Sequence, residues 1–178
     1  MAKPFSQKDY ESDKQAYEVV LKNIGKYFFM AKEHVEDYQI DCKLYDDGGN
    51  LALYLELEHL RSWNGSPNQY PKVNLLERKV KKYHHMDRPS IYVQFSKDFK
   101  RCRLTVFDSV YKDIQKGKYK VHSLNCYDRN GCHYDSVYRI NPDEPYIKVI
   151  DTKDLEKVLF VVYRNYMKYK QTKKEKVN

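Results

Sequence analysis

The chain has 178 residues, 41% hydrophobic and 33% charged, with a net charge of +8. That length suits a single domain over 1–178, and the absence of a long apolar run and of a hydrophobic N-terminal signal excludes a membrane-spanning helix and points to the cytoplasm. The basic balance points to an anionic partner, most often nucleic acid, and Cys42, Cys102, Cys126 and Cys132 read as free thiols in a reducing compartment.

After a loose lead-in over 1–10, the spacing of Tyr17, Val20, Leu21, Ile24 and Phe28 predicts a helix from Ser12 to Met30. Glu18 stands at the edge of that apolar face, where a glutamate is usually solvated. Ala31 to Asp37 is polar and leads into Tyr38 to Leu60, which reads as two strands joined at Asp47-Gly48-Gly49-Asn50. A Gly-Gly centre supplies the positive φ angles of a two-residue hairpin turn. A turn between Gly48 and Gly49 sets Asp41 directly opposite Glu56.

Side chains alternate faces along a strand. Ile40, Cys42, Leu44, Leu51, Leu53, Leu55 and Leu57 therefore share a core face, and Asp41, Lys43, Tyr45, Ala52, Tyr54, Glu56 and Glu58 share the other. Opposed like charges destabilise a strand pair by roughly 0.2–1 kcal/mol. The three carboxylates have two readings: a solvated face partly neutralised by Lys43, or a site for a divalent cation such as Mg²⁺, which takes oxygen ligands. The repulsion also predicts that Glu56→Gln stabilises the metal-free protein.

Arg61 to Pro71 holds two prolines, a glycine and two asparagines and reads as a loop. Its Trp63 either walls a ligand site with Arg61 and Tyr70 or plugs the end of the core. Leu75 to Tyr83 is basic and reads as a short helix, with Lys82 and Tyr83 three and four residues beyond Lys79 on one face. Ile91–Phe95 and Arg101–Phe107 read as strands, and Val110–Gln115 as a short helix. Lys118–Tyr127 and Cys132–Ile140 form a second hairpin around Asp128-Arg129-Asn130-Gly131. Tyr146–Ile150 is a last strand, and a helix capped by Asp151 or Thr152 runs to Tyr169, ahead of a frayed basic tail from Lys168 to Lys176.

His122, Cys126, Cys132 and His133 carry zinc-ligand chemistry, but their spacing matches no finger or ribbon. His84-His85 beside Met86-Asp87 reads as a surface turn. No phosphate-binding P-loop, dinucleotide fingerprint, nucleophile elbow or zincin motif occurs.

A helix, a strand bearing Asp41, a turn and a strand bearing Glu56-Leu57-Glu58 together resemble the restriction-endonuclease-like, or PD-(D/E)XK, nuclease superfamily, in particular its small phage-encoded members with a tryptophan loop followed by Glu-Arg-Lys. The resemblance spans roughly residues 12–107. It implies an α+β, α/β/α-like fold in which an N-terminal and a C-terminal helix pack on a central mixed β-sheet. It further implies Mg²⁺ held by Asp41 and Glu56, hydrolysis of DNA phosphodiesters, and a bacterial or phage-infected cytoplasm. Glu58 stands where that family usually has lysine, so it would orient or deprotonate water or bind the metal, and no proline precedes Asp41. Lys79, or else Lys72, would supply the missing cation from outside the motif, and Glu18 would match a helix glutamate found in some members. Arg61, Trp63, Lys72, Arg78, Lys82 and the basic tail would hold nucleic acid, and a homodimer is one arrangement compatible with this reading. The competing functions are a non-catalytic nucleic-acid-binding module and a phage or accessory protein-interaction module.

Overall fold

Leu53, Leu55 and Leu57 point into one apolar core, while Tyr54 points into a second core on the other side of the same strand. The computed structural model that shows this describes residues 7–30, 41–69, 72–128 and 131–175. In chain order the elements are α1 (Gln7–Asn23), β1 (Phe29–Met30), β2 (Cys42–Tyr45), β3 (Leu51–His59), β4 (Val73–Leu76), α2 (Glu77–His84), β5 (Ser90–Phe95), β6 (Arg101–Val106), α3 (Phe107–Gln115), β7 (Val121–Asp128), β8 (Gly131–Ile140), β9 (Ile147–Asp151), a 3₁₀ turn (Thr152–Asp154) and α4 (Leu155–Glu175).

A six-stranded sheet runs β1-β2-β3-β5-β6-β9, and a three-stranded sheet runs β4-β8-β7. The β3–β5 pair is parallel and its neighbours are antiparallel, so the main sheet is mixed. Ala16 and Val20 of α1 and Leu155 and Leu159 of α4 cover the leucine face. Val80 and Tyr83 of α2, Phe107 and Val110 of α3, and Val73, Leu75, Tyr138 and Ile140 of the small sheet cover the opposite face. Every residue of β5 is buried, as a strand covered on both faces requires. This is the α+β architecture with a central mixed sheet and packed N- and C-terminal helices that the sequence leads one to expect. Among the described residues no helix is long and apolar enough to cross a membrane.

Several boundaries differ from the sequence reading. α1 stops at Asn23, because the chain turns at Gly25 (φ 141°) and the next residues serve a buried anion. Glu156 Oε1 accepts the backbone N–H groups of Gly25, Lys26 and Tyr27 at 2.8 Å each and of Phe28 at 3.2 Å. Leu21, expected in the core, is 38% exposed. Leu75 belongs to β4 rather than to the basic helix, because Val73 and Leu75 alternate inward while pairing with β8. α4 runs through Glu175, so most of the tail expected to fray is helical.

The first hairpin keeps the expected facing of Cys42 with Leu55, Lys43 with Tyr54 and Leu44 with Leu53, then shifts so that Tyr45 faces Leu51. The loop is wider than a two-residue turn because Asp46 organises it. Its Oδ1 accepts the N–H of Gly48 at 3.0 Å and of Asn50 at 2.9 Å, and Gly49 takes the left-handed conformation (φ 75°). The shift turns Leu51 away from the leucine face toward the second core. The expected strand start at Tyr38 to Ile40 lies outside the described residues, as do Arg129 and Asn130 of the second turn.

Candidate active site

The face carrying Glu56 and Glu58 is a polar layer roofed by α2 rather than a solvated surface. Register builds it row by row. Glu56 of β3 lies beside Tyr92 of β5, and Glu58 beside Gln94. Tyr92 in turn lies beside Thr105 of β6, and Gln94 beside Arg103. Asp41 precedes β2, and its Oδ2 accepts the Leu57 N–H at 2.6 Å, which ties it to the strand segment that carries both glutamates.

α2 supplies the cations. Lys79, Lys82 and Tyr83 share one face at helical spacing. Lys79 Nζ lies 2.6 Å from Glu56 Oε1, Lys82 Nζ lies 3.7 Å from Glu56 Oε2, and the Tyr83 hydroxyl donates to Glu56 Oε2. Glu56 is only 7% exposed, a burial that an ionised carboxylate tolerates only when paired. Lys79 also lies over the Tyr92 ring, 5.1 Å from its centroid.

Burial alone would lower the Lys79 pKa. The charges of Glu56 and Glu58, a hydrogen bond to Glu56 and the charge of Asp41 outweigh it and raise Lys79 above its ordinary value. One ammonium thus feels all three carboxylates. Burial, followed by the field of the neighbouring glutamates, pushes the Tyr83 and Tyr92 phenols up, so both act as hydrogen-bond donors.

Glu58 Oε2 accepts from the Tyr92 hydroxyl and, at 2.5 Å, from Gln94 Nε2. Gln94 Oε1 accepts from Arg103 Nε at 2.9 Å and from an Arg103 terminal nitrogen at 2.6 Å. The Arg103 guanidinium lies 5.3 Å from the centre of the Trp63 ring.

The structure therefore brings together Asp41, Glu56, Glu58, Lys79 and Lys82 from the sequence-based set. Trp63 is fully buried, with its indole N–H donating to Ser66 O at 2.7 Å, so it is the plug and not a surface wall. A ring without exposed area cannot stack on a nucleic-acid base. Arg61, Lys72 and Arg78 are exposed. Glu18 is exposed on α1, whose packing is on the leucine face, away from the carboxylates. His122 is exposed, and the side chains of Cys126, Cys132 and His133 lie outside the described residues. His84 stacks on Tyr111 with ring centres 3.4 Å apart.

Sequence reasoning missed Tyr83, Tyr92, Gln94 and Arg103 as members of the site. Gln94 was legible in part, as the one polar side chain inside the apolar run Ile91 to Phe95.

No family model, curated protein or solved structure matches this chain. Among the described residues no group of three His, Cys, Asp or Glu side chains forms a metal cage. The carboxylates that could take part in holding a cation are Asp41, Glu56 and Glu58, of which Glu56 is already paired with Lys79 and Tyr83. Mg²⁺ on one or two such carboxylates would need water and phosphate to complete its shell.

Proposed function

We propose that this protein is a metal-dependent phosphodiester hydrolase acting on nucleic acid, with DNA as its substrate, and that it is a divergent member of the restriction-endonuclease-like superfamily. The observation that supports this most is the Lys79–Glu56 contact of 2.6 Å beside Asp41 and Glu58. It joins the pattern Asp…Glu-x-Glu to a lysine from another element. The mixed sheet, with its parallel β3–β5 pair next to the antiparallel hairpin, is compatible with that reading.

In this account Asp41 and Glu56 would hold Mg²⁺, which would supply Lewis-acid neutralisation of the phosphate and an acidified water. Lys79 stabilises negative charge that develops on the phosphate. Glu58 orients the attacking water, held by Tyr92 and Gln94. Lys82 and the exposed Arg61, Lys72 and Arg78 draw the anionic backbone toward the cluster. A series of melting curves over Mg²⁺ concentration tests the metal step. Wild type should gain stability as RT ln(1 + [L]/Kd), and Asp41→Ala should not. Identical curves for the two proteins would refute the assignment of Asp41 and Glu56.

One observation favours a second reading. The exposed Asp41, the buried Glu56 and the partly buried Glu58 all accept hydrogen bonds from protein donors, as in a self-satisfied polar network. A non-catalytic nucleic-acid-binding module would retain such a network as structure. It would bind nucleic acid with an affinity that falls steeply with salt and would show no metal-dependent cleavage.

A further inference from the structure

We propose that Arg103 and Gln94 are positioning residues that fix the carboxylate of Glu58 for the reaction. The proposal rests on the hydrolase reading above. Its geometry is a ladder across three neighbouring strands, from Arg103 on β6 through Gln94 on β5 to Glu58 on β3.

Chemistry sets the direction of the ladder. A guanidinium only donates hydrogen bonds. Arg103 gives two of them to Gln94 at 2.9 and 2.6 Å, so Gln94 must turn its carbonyl oxygen to Arg103. The amide nitrogen is then forced toward Glu58, where it donates at 2.5 Å to Oε2. Tyr92 donates to the same oxygen. Two donors on one oxygen fix the rotation of the carboxylate and point its other oxygen away from them.

The far end of the ladder is anchored as well. Trp63 covers the guanidinium, and its own backbone is held by the Lys97 N–H donating to Trp63 O at 2.7 Å. Gln94 and Arg103 are each 3% exposed. Apolar residues of similar volume often serve stability as well as buried ionic groups do, so packing alone does not account for a buried arginine and glutamine in series. What the series accomplishes is a defined orientation at the one carboxylate that replaces the usual lysine.

The test uses Arg103→Lys and the double variant Gln94→Leu/Arg103→Met. Lysine keeps the charge but lacks the planar fork that sets the glutamine. The double variant removes both buried polar groups together, so neither is left unpaired. The first measurement is hydrogen exchange of the Gln94 side-chain amide in the metal-free protein, which should quicken at least about tenfold in Arg103→Lys as its orientation is released. The second is steady-state cleavage. Both variants should lose about 10–100-fold in kcat at unchanged KM, the usual effect of removing groups that orient a site from behind. Glu58→Gln combined with Arg103→Lys should cost no more than Glu58→Gln alone, because the two act as a unit.

Unchanged kcat in both variants, or losses that simply add to that of Glu58→Gln, would overturn the proposal while leaving the hydrolase reading intact. Should the double variant fail to fold, Arg103→Lys alone carries the kinetic decision. A wild type without any cleavage would sink the hydrolase reading, and the amide exchange would then decide the ladder by itself: no change in Arg103→Lys overturns it.

Discussion

Lys79 Nζ sits 2.6 Å from Glu56 Oε1, and this contact reverses the sign of an effect that the sequence suggests. Facing carboxylates in a hairpin imply that neutralising one relieves repulsion. The structure pairs Glu56 with Lys79, Lys82 and Tyr83 in a layer where it is 7% exposed. Glu56→Gln therefore leaves the Lys79 ammonium without its closest counter-charge. It should destabilise the metal-free protein by about 3 kcal/mol, the low end for breaking a buried pair, since the Lys79 side chain keeps 16% exposure. Urea denaturation in EDTA measures it, and an unchanged or raised midpoint contradicts the pairing.

Lys79 and Lys81 make a matched comparison on one helix. Lys81 pairs with Glu77 at 2.7 Å, and its side chain is 66% exposed. Lys79→Ala should lower metal-dependent cleavage by about 100-fold or more, as loss of a positioned charge donor does. Lys81→Ala should leave the rate within about twofold, since exposed pairs contribute little. Equal effects from the two variants would remove Lys79 from the mechanism.

Glu156 gives the fold a pH dependence of its own. Burial would raise its pKa, but the four backbone N–H groups of residues 25–28 outweigh burial and hold it below the ordinary value of 4.5. A pKa lower in the folded than in the unfolded chain stabilises at pH above the unfolded value and loses that stabilisation as pH falls through the folded one. The wild-type urea midpoint should drop faster below about pH 4.5 than that of Glu156→Gln, which should be less stable at pH 7 and flatter across the acid window. Parallel profiles for the two proteins would refute the role of this carboxylate.

The hairpin, the helix bearing Lys79 and the core face of leucines were legible because each rests on local periodicity, whereas the mixed sheet was implied only by the family resemblance. Asp41, Glu56 and Glu58 were legible as a set for the same reason, since alternation fixes which residues share a face. Helical spacing groups Lys79 with Lys82 and Tyr83, but Lys79 was joined to the carboxylates only by the family resemblance, with Lys72 as its alternative. The role of Trp63 was not legible, since the loop chemistry around it allows either a surface ring or a plug. Tyr92 and Arg103 were hidden, and Gln94 stood out only as a polar residue in an apolar run, because all three reach the site through the β3–β5 and β5–β6 registers, which join segments distant in sequence. The end of α1 was hidden likewise, because its cause is Glu156, 131 residues away from Gly25.

The two cysteines whose side chains are described should be chemically quiet in the folded protein. Cys42 and Cys102 are buried and free. Burial pushes the Cys102 thiol up to about 12, and burial with the charges of Asp41 and Glu56 raises Cys42 further. Neither should be alkylated by iodoacetamide at pH 8 in the native state, and both should be modified in guanidinium, as peptide mass spectrometry would show. Rapid native labelling of Cys42 would contradict the packing directly beneath the carboxylate face.

The central claim is that Asp41, Glu56 and Lys79 form a metal-dependent phosphodiester-cleaving site, and nicking of supercoiled plasmid tests it most directly. Wild type with Mg²⁺ or Mn²⁺ should convert supercoiled to open-circular DNA, EDTA should abolish the conversion, and Asp41→Ala, Glu56→Ala and Lys79→Ala should each reduce it by about 100-fold or more. Metal-dependent nicking that persists at full rate in Asp41→Ala and Glu56→Ala, or a folded wild type that nicks no DNA with either metal, would contradict it.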